Sequence, residues 1–537
     1  MIQLDREKTV QEVRSRVLSA RIKDSVARKD AALEYVINET LFLERQRLKE
    51  EPRSNKLRES DLAFYKKVSK RLGKASEKEK VELLGAIVER FAWEIVGNFS
   101  QPTYEFATRV LPRGLSVILN GLSPRVILKN FPHLPGVERN LKVQGEIGRV
   151  QALTRKGTVI LLPTHLSNMD SPLIGFAIYM ASLPPFVYGA GLNLFTNPVM
   201  SFFMHRLGAY KVDRKKRAPL YKEVLKEYST YVIERGMHSL FFPGGTRSRS
   251  GGVERHLKLG LAGTGLAAYI NNLRRKTANP NVYFVPATIS YQLVLEAETL
   301  VDDFLKEVGK SRYIIEDDES SRLKRMADFV TNLLELDSRI YVTFLKPLDP
   351  FGNDVDEAGR SVDSHGRPID IRRYVLAGSG PDHDDARDRE YTAELGERVA
   401  DAFSRGNVVQ STNLVAFAAF ELMCEAAKEE DLYKLLRSED RALRIGREDL
   451  GRRVESVLEA VMDLVDHGKI RVSESIERGK AEAVLKDGEQ HFSLYHTAEA
   501  ISRVGDYYQV GDPKLLYYYR NRLTGYHLGE HFHLKAK

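Results

Sequence analysis

Short apolar runs alternate with helical patterns over the middle of the chain. The apolar runs lie at 158–162, 186–188, 239–242, 282–286 and 340–344. Between them, residues 220–235 and 261–273 carry apolar positions at helical spacing. Strands that alternate with helices in this way predict a layered α/β domain.

The regions on either side of this middle part read mainly as helices. Before it, apolar residues recur at helical spacing, and they are Leu84, Ile87, Val88, Phe91, Ile95 and Phe99. After it, a polar stretch at 378–390 predicts a linker, followed by helical patterns at 413–428 and 453–466. We therefore expect a helical N-terminal region (1–135), an α/β domain (136–375) and a mainly helical C-terminal region (376–537). No internal repeat is expected.

Composition narrows the class of protein. The chain has 537 residues, enough for two or three domains, and a single cysteine, Cys424, which excludes an internal disulfide framework. No His/Cys cluster has metal-ligand spacing, and no dinucleotide fingerprint is present, so we expect no metal site. The first residues are charged and precede no apolar core, so no signal peptide is expected.

The net charge of +8 is concentrated near the N-terminus. Residues 1–80 hold 21 Lys and Arg against 14 Asp and Glu, which gives +7. Such a flank can contact anionic lipid headgroups or an acidic acyl-carrier protein, although a solvated helical face is the commonest explanation. No aromatic-basic motif accompanies the charge, so nucleic acid is not an expected partner.

An uncharged stretch at 171–204 raises the question of a membrane span. Pro184 and Pro185 interrupt it, and its first half is too short to cross a bilayer. We therefore expect a buried helix and strand, followed at 195–203 by an apolar surface that holds an acyl chain or dips into the membrane. For residues 104–128 we expect either an interfacial amphipathic helix or a helix packed on the α/β domain. The prediction is a peripheral membrane protein.

The first candidate for chemistry is a histidine delivered by an apolar run. His165 follows the run at 158–162, and Asp170 comes five residues later at a helix start. Asp170 or Ser171 is expected to cap that helix, with Pro172 at its first position. The two side chains meet only if residues 166–169 form a turn. Such a pair provides a general base with an orienting carboxylate.

The spacing alone carries little weight, because it also occurs by chance. His365 with Asp370 and His383 with Asp388 have it too, and both pairs lie in polar segments without a preceding strand. Three further segments add weight to His165. Gly208 to Arg214 alternates and ends in basic residues, residues 243–251 read PGGTRSRSG, and Val285-Pro286 ends an apolar run.

These further segments suit an anionic ligand. Arg214, Arg247 and Arg249 can each fork onto phosphate oxygens, and glycines such as Gly245 let backbone amides approach an anion. The alternatives are a turn after a buried strand at 244–245 and a solvated loop at 215–217, which we favour for those three residues. Val285-Pro286 is expected to be structural.

Taken in order, the four segments resemble the blocks of the glycerolipid acyltransferases. Those blocks are His-x4-Asp, Gly-x5-Arg, Phe-Pro-Glu-Gly-Thr-Arg-Ser and Val-Pro. One departure is clear: Gly244 stands where the family usually has glutamate, a carboxylate used at the acceptor site. This puts the exact acceptor in doubt, or indicates that a nearby acid such as Glu254 substitutes.

Segments after the core are similar to the large bacterial glycerol-3-phosphate acyltransferases. They lie at 346–352, 363–370, 414–417 and 516–521. The resemblance implies transfer of an acyl group from acyl-CoA or acyl-carrier protein to the sn-1 hydroxyl of glycerol 3-phosphate, at the cytoplasmic membrane face. It implies no metal or redox cofactor.

The resemblance also assigns roles at the site. His165 removes the hydroxyl proton, and Asp170 orients the imidazole of His165. The residues assigned to acceptor binding are Arg214, Gly245, Arg247, Ser248, Arg249 and Lys258. Backbone amides near Gly245 are candidates for stabilising the oxyanion.

Three alternatives stay open. The acceptor can be lysophosphatidate, dihydroxyacetone phosphate or a neutral alcohol. A hydrolase can use the same His/Asp pair with water, although no Gly-x-Ser-x-Gly elbow is present. A non-catalytic lipid-binding protein is the third. Acyl-chain preference, donor type and oligomeric state do not follow from the sequence.

Overall fold

The structure is a computed structural model. It describes residues 5–27, 32–51, 56–105, 140–192, 206–308, 339–378, 380–426, 436, 443–492 and 499–528. Statements about what is present or absent refer to these residues.

The described part of the N-terminal region is mainly helical, as predicted, and contains four long helices. They are α1 (Arg6–Ala27), α2 (Ala32–Glu50), α3 (Lys56–Leu72) and α4 (Glu77–Ile95). Helix α4 begins with a capping box, in which Ser76 and Glu79 satisfy each other's backbone N–H groups. The apolar stripe read from the sequence is buried, including Ile87, Val88 and Phe91. Most of the segment predicted at 104–128 lies outside the described residues.

A seven-stranded sheet forms the middle of the molecule, which confirms the α/β prediction. Its strands are β1 (Leu141–Gly145), β2 (Thr158–Pro163), β3 (Val187–Gly191), β4 (Ala209–Val212), β5 (Ser239–Leu240), β6 (Val282–Tyr291) and β7 (Ile340–Phe344). Their spatial order is β1-β7-β6-β2-β5-β3-β4. The last five strands of this order are parallel, whereas β7 runs antiparallel to β6 and parallel to β1. Strands β1 and β4 were not among the predicted strands.

Helices cover both faces of the sheet. They are α5 (Ile147–Leu153), α6 (Asp170–Met180), α7 (Pro219–Glu234), α8 (Gly263–Arg274) and α9 (Ala297–Val308). In β2, Val159 and Leu161 enter one apolar core, while Ile160 and Leu162 enter another on the opposite face. Burial on both faces explains why this strand reads as a continuous apolar run instead of an alternating one.

The C-terminal region is mainly helical, as predicted. Its helices are α10 (Asp385–Gly406), α11 (Ser411–Ala426), α12 (Arg447–Asp466), α13 (Glu474–Glu477), α14 (Ala481–Phe492) and α15 (Pro513–Arg520). Strands β13 (Arg444–Gly446), β15 (Ile501–Val504) and β16 (Tyr507–Val510) form a small antiparallel sheet beside them. Apolar residues of α11 and α15 belong to the same core as β2 and β6. Packing is therefore continuous across the predicted boundary at 375/376.

The predicted linker at 378–390 is wrong over its second half. Helix α10 begins at Asp385, and the Asp384 side chain caps it by accepting the N–H groups of Ala386 and Arg387. Short paired strands β10 (Leu376–Ala377) and β11 (Gly380–Pro381) precede it. The acidic residues that make this stretch look like a linker are a helix N-terminal signal.

A short internal repeat follows β7, contrary to the prediction of none. Three hairpin turns begin seven residues apart, and in each an aspartate accepts from a left-handed glycine three residues on. The backbone N–H of the same aspartate donates to the carbonyl oxygen of the residue that follows the glycine. The turns are Asp349–Asn353, Asp356–Arg360 and Asp363–Arg367. Strands β8 (Asp354–Val355) and β9 (Ser361–Val362) pair between these turns, and strands β12 (Val408–Val409) and β14 (Arg471–Val472) pair in the C-terminal region.

The uncharged stretch at 171–204 begins with helix α6 and strand β3, as predicted, but both are only partly buried, and Tyr179 and Met180 of α6 are exposed. The apolar surface predicted at 195–203 lies outside the described residues. Among the helices that the structure describes, none is both long and apolar enough to cross a bilayer.

Candidate active site

The candidate residues gather at one edge of the sheet because of strand direction. Parallel strands β2, β4 and β5 all end at this edge, which is where ligands bind in open α/β sheets. His165 follows β2, Arg214 follows β4, and the loop 241–258 follows β5. We call this segment the glycine-arginine loop.

His165 and Asp170 form the predicted pair. The Nδ1 atom of His165 lies 2.8 Å from Oδ2 of Asp170. Asp170 is fully buried, whereas the His165 side chain keeps 14% of its surface exposed. With Nδ1 bonded to the carboxylate, Nε2 is the nitrogen left to act on a substrate. The pair therefore has the orientation that a general base needs.

Asp170 is held by a dense set of donors. Its Oδ2 accepts the backbone N–H groups of Leu166 (2.6 Å) and Ser167 (2.9 Å), and its Oδ1 accepts the Tyr291 hydroxyl. The turn predicted at 166–169 is confirmed. The predicted capping role is wrong, because helix α6 starts at Asp170 itself and the carboxylate instead closes the preceding turn.

The His165 peptide is fixed from both sides by the glycine-arginine loop. Its carbonyl oxygen accepts the Ser248 N–H at 2.7 Å, and its own N–H donates to Oε1 of Glu254 at 2.5 Å. The imidazole stacks on Phe242, with ring centroids 4.3 Å apart. Backbone position and ring orientation are therefore both set by residues that follow β5.

Gly244 and Glu254 occupy adjoining space. A Cβ atom placed on Gly244 would lie 2.2 Å from Oε2 of Glu254, closer than any real contact. Burial raises the pKa of Glu254 to about 8, against the hydrogen bond from the His165 N–H, which lowers it. A carboxyl thus lies beside the position where the family's glutamate is missing.

Gly245 is left-handed, with φ near 73°. Its Cα is covered by the stem of Lys258, and a Cβ there would lie 2.5 Å from Cδ of Lys258. The Gly245 N–H donates to the Phe242 carbonyl oxygen at 3.1 Å. Because the Gly245 amide is used within the loop, this arrangement does not support a role for that amide in steadying an oxyanion.

Two of the predicted arginines lie close enough for their charges to interact. Partial desolvation and the charge of Arg247 both lower the pKa of Arg214, whose side chain still reaches solvent. Nη1 of Arg247 is 3.5 Å from Oε1 of Glu296, a fully buried carboxylate. Glu296 also accepts from Ser167 (2.8 Å) and from the Asn168 N–H (3.0 Å), so it links the arginine to the turn after His165. Two neighbouring guanidinium groups at a surface suit a phosphate.

Two other predicted binding residues have different contacts. Arg249 forms an ion pair with Glu307 on α9 at 2.6 Å, so its guanidinium points to that helix. The Ser248 hydroxyl donates to the Gly252 carbonyl oxygen at 2.9 Å and closes the loop. The structure therefore gives Ser248 a structural role and engages the Arg249 guanidinium with Glu307.

Lys216 corrects the prediction of a solvated loop at 215–217. Its side chain is buried, and Nζ lies 2.9 Å from Glu94 and 3.2 Å from Glu44. It also sits 4.8 Å above the ring of Phe91. Lys215 and Arg217 are exposed, as predicted. The loop that carries Arg214 is thus anchored to the N-terminal helices α2 and α4.

Residues of the C-terminal region contact the glycine-arginine loop. Arg522 is buried, and burial lowers its pKa, although Glu254 and Asp170 act in the opposite sense. It donates to Asn407 at 2.8 Å, and also to the carbonyl oxygens of Gly252 and Ile289. The backbone of Tyr518 leaves no room for a side chain at Gly251. The glycine-arginine loop therefore rests on the segment that follows α15.

Tyr291, Glu296 and Arg522 were not predicted. Each makes its site contact with a residue more than a hundred positions away. Only Arg522 has a neighbouring sequence signal, since the segment at 516–521 resembles the family. Tyr291 continues β6 beyond the Val-Pro block by five residues, so extension of that strand was the signal available.

The chance matches to the spacing lack this environment. His365 is exposed and contacts neighbours in its own turn, and Asp370 pairs with Arg372. His383 is 3.6 Å from Asp388, but Asp388 also pairs with Arg387 at 2.7 Å. Among described residues, no group of three or more His, Cys, Asp or Glu side chains has metal-site geometry.

A large groove lies elsewhere in the described part of the chain. It has a volume of about 1440 Å³ and lies in the C-terminal region beside α12, α14 and β15. Acidic and basic side chains mix along it, and none of the candidate residues lines it. We assign the chemistry to the sheet edge, because the buried His/Asp pair is there.

Comparison with known proteins agrees with this assignment. Residues 142–290 match the family model described as Acyltransferase. Glycerol-3-phosphate acyltransferase of Pseudomonas paraeruginosa is 26% identical over 362 residues, 67% of this chain and 38% of the relative. The Pseudomonas fluorescens protein of the same name is 27% identical over 346 residues, 64% and 36%. The chain thus spans well under half the length of these relatives. The match over residues 142–290 confirms the resemblance to an acyltransferase that the four blocks predicted.

Among solved structures, the 1-acyl-sn-glycerophosphate (LPA) acyltransferase from Thermotoga maritima shares 15% identity with this chain. The match covers 56% of this chain and 92% of that one, with a TM-score of 0.25. A superposition this weak supports no statement about fold or substrate.

Proposed function

We propose that this acyltransferase domain moves a fatty acyl group from acyl-CoA or acyl-carrier protein to the sn-1 hydroxyl of glycerol 3-phosphate. The observation that carries the proposal is the 2.8 Å contact between His165 Nδ1 and the buried Asp170 carboxylate. The relatives named glycerol-3-phosphate acyltransferase support the choice of acceptor.

The reaction needs one base and no covalent intermediate on the protein. Nε2 of His165 takes the proton as the acceptor oxygen attacks the thioester carbonyl carbon. The tetrahedral intermediate then collapses, the C–S bond breaks, and the leaving thiolate takes the proton back from the imidazolium. Asp170 holds the tautomer and stabilises the charged ring, which is the orienting role that a buried carboxylate serves.

Arg247 and Arg214 supply the acceptor's phosphate site in this proposal. Bidentate contacts from guanidinium groups bind phosphate oxygens with defined geometry. Glu296 orients Arg247 and the turn after His165 together. An acceptor bound by its phosphate is therefore held near the base, which converts a bimolecular attack into an oriented one.

An acceptor panel tests the proposal. Purified protein would be given palmitoyl-CoA and, in separate reactions, glycerol 3-phosphate, dihydroxyacetone phosphate, lysophosphatidate, glycerol or buffer. We expect thiol release above the buffer rate with glycerol 3-phosphate, and a product acylated at the sn-1 position by mass spectrometry and lipase digestion.

The panel also separates the alternatives. Preference for another acceptor would overturn the substrate assignment. Equal thiol release without acceptor would indicate a hydrolase. Palmitoyl-carrier protein run in parallel would identify the donor, and no release with either donor would contradict the proposal.

We also propose peripheral binding at the cytoplasmic membrane face. Many N-terminal cations are engaged internally, for example Arg16 with Glu234 and Arg21 with Glu223. The end of α3 and the turn after it, however, present five exposed cations, which we call the basic strip. They are Lys66, Lys67, Lys70, Arg71 and Lys74. Each cation near an anionic surface contributes about 1 kcal/mol.

Vesicle sedimentation tests the basic strip. We expect binding to vesicles of phosphatidylcholine with phosphatidylglycerol, and weaker binding in high salt. Replacing Lys66, Lys67 and Lys70 by glutamine should reduce binding, whereas the same change at exposed Lys469, Arg471 and Arg478 should not. Equal loss from both triple variants would contradict a localised membrane contact.

A further inference from the structure

Glu254 is a half-buried acid near the site that the proposed chemistry does not use. It lies ten positions after Gly244 in the glycine-arginine loop. Its Oε1 accepts the His165 N–H at 2.5 Å. Its Oε2 is enclosed, and within the described residues it has no hydrogen-bond partner. One carboxyl oxygen therefore serves the peptide of the base.

The space around this carboxyl excludes a side chain at 244. The position of a Cβ on Gly244 is 2.2 Å from Oε2 and 2.7 Å from the carboxyl carbon of Glu254. The carboxyl is held in this position because its Oε1 accepts the hydrogen bond from the His165 backbone N–H. Gly244 and Glu254 are thus reciprocal: the carboxyl fits because residue 244 has no side chain.

We propose that Glu254 is a positioning residue, whose carboxyl fills the space of the absent side chain at 244 and holds the His165 peptide in register with Asp170. The inference rests on the proposed acyl transfer. It explains how the chain keeps its base in place although glycine has replaced the glutamate of the third block. Glu254 acts through His165 and does not contact the substrate.

Removal of the carboxyl should change the rate more than substrate binding. In Glu254→Ala, the His165 N–H loses its acceptor, and we expect kcat to fall about tenfold or more while the KM values for donor and acceptor change little. Glu254→Gln keeps a carbonyl oxygen in the position of Oε1, so it should retain most of the rate.

A double-mutant cycle tests the reciprocity. Gly244→Ala should lower kcat in the wild-type background, because its Cβ meets Oε2. In the Glu254→Ala background the same change should cost little, because the space is empty. Gly260→Ala is the matched control, since its Cβ meets nothing closer than 3.7 Å. Circular dichroism and the thermal midpoint of each variant show whether it is folded.

The outcomes separate this inference from the proposed function. If the wild-type protein transfers no acyl group, the proposed function fails. If the wild type is active and Glu254→Ala keeps its kcat, or Gly244→Ala costs the same in both backgrounds, the positioning role is overturned. A raised acceptor KM with unchanged kcat would also overturn it, because it would place Glu254 in the binding site.

Discussion

The hydroxyl of Tyr291 donates a hydrogen bond to Oδ1 of Asp170, while Oδ2 of the same carboxylate faces Nδ1 of His165. Both Tyr291 and Asp170 are buried. Burial and the neighbouring Asp170 charge raise the pKa of Tyr291 well above its ordinary value, so the phenol stays a donor. The strand β6 thus fixes the carboxylate that orients the base.

Tyr291→Phe should lower kcat without changing acceptor binding. The substitution keeps the ring and leaves one oxygen of a buried carboxylate without its donor, a loss of roughly 1.5–3 kcal/mol for a hydrogen bond to a charged group. We expect kcat to fall about tenfold with KM for glycerol 3-phosphate unchanged in steady-state kinetics. Wild-type kcat in a folded Tyr291→Phe variant would show that the carboxylate does not need this donor.

Arg247→Ala and Arg214→Ala should weaken acceptor binding more than donor binding. Loss of a charge-assisted contact to phosphate should raise the acceptor KM by about tenfold or more. Arg249→Ala is the matched control, because Arg249 already pairs with Glu307, and it should change the acceptor KM less than threefold or so. Varying each substrate in turn provides the measurement. An effect confined to the acyl donor would move Arg247 and Arg214 to the donor site.

Lys216→Met should destabilise the protein, whereas Lys215→Met should not. Removing Lys216 leaves the carboxylates of Glu44 and Glu94 without this cation, at a cost of roughly 3 kcal/mol, near the low end for a broken buried pair because Arg47 still contacts Glu44. Lys215 is exposed and sits one residue away. Urea unfolding of both variants measures the difference. Equal midpoints would mean that the buried ion pairs contribute nothing to anchoring this loop.

The charge state of Glu254 should make folding stability depend on pH. Its pKa is about 8 in the folded protein, against an ordinary 4.5, because burial outweighs the effect of Arg522, while Asp170 adds to the rise. Since the folded state keeps a proton that the unfolded chain releases, the stabilisation is complete below pH 4.5 and is lost as pH rises to about 8.

Thermal unfolding of the wild type and Glu254→Gln between pH 5 and 9 checks this prediction. The wild-type midpoint should fall relative to that of the variant as pH rises, since glutamine does not titrate. Other acids with raised pKa values, such as Glu227, are present in both proteins and cancel. Two parallel curves would show that Glu254 does not hold a proton in the folded state.

Local patterns predicted the elements that carry the site but not the contacts between them. Strand β2 and the turn after His165 could be predicted from the sequence, because strand burial and short turns are local properties. Asp384 was misread, since a polar cluster can be a linker or a helix cap, and only the helix after it decides. Strand β4 is short and partly exposed, so its four residues gave a weak signal.

The tertiary contacts that hold His165 and Asp170 in place could not be predicted from local patterns. The Tyr291 contact to Asp170 joins residues 121 apart, and that of Arg522 to Asn407 joins residues 115 apart. Single-sequence periodicity contains no information on such pairs. Glu254 was foreseen as a substitute for the missing carboxylate only because the departure at Gly244 drew attention to nearby acids. Its bond to the His165 peptide required the fold.

Thiol release from palmitoyl-CoA in the presence of glycerol 3-phosphate, compared between His165→Ala and His365→Ala, tests the central claim most directly. Both histidines precede an aspartate by five residues, but only His165 faces a buried carboxylate. We predict that His165→Ala loses at least about a hundredfold in rate, as expected for removal of a general base, and that His365→Ala keeps the wild-type rate. A folded His165→Ala variant that retains more than roughly a tenth of the wild-type rate would contradict the role assigned to this histidine.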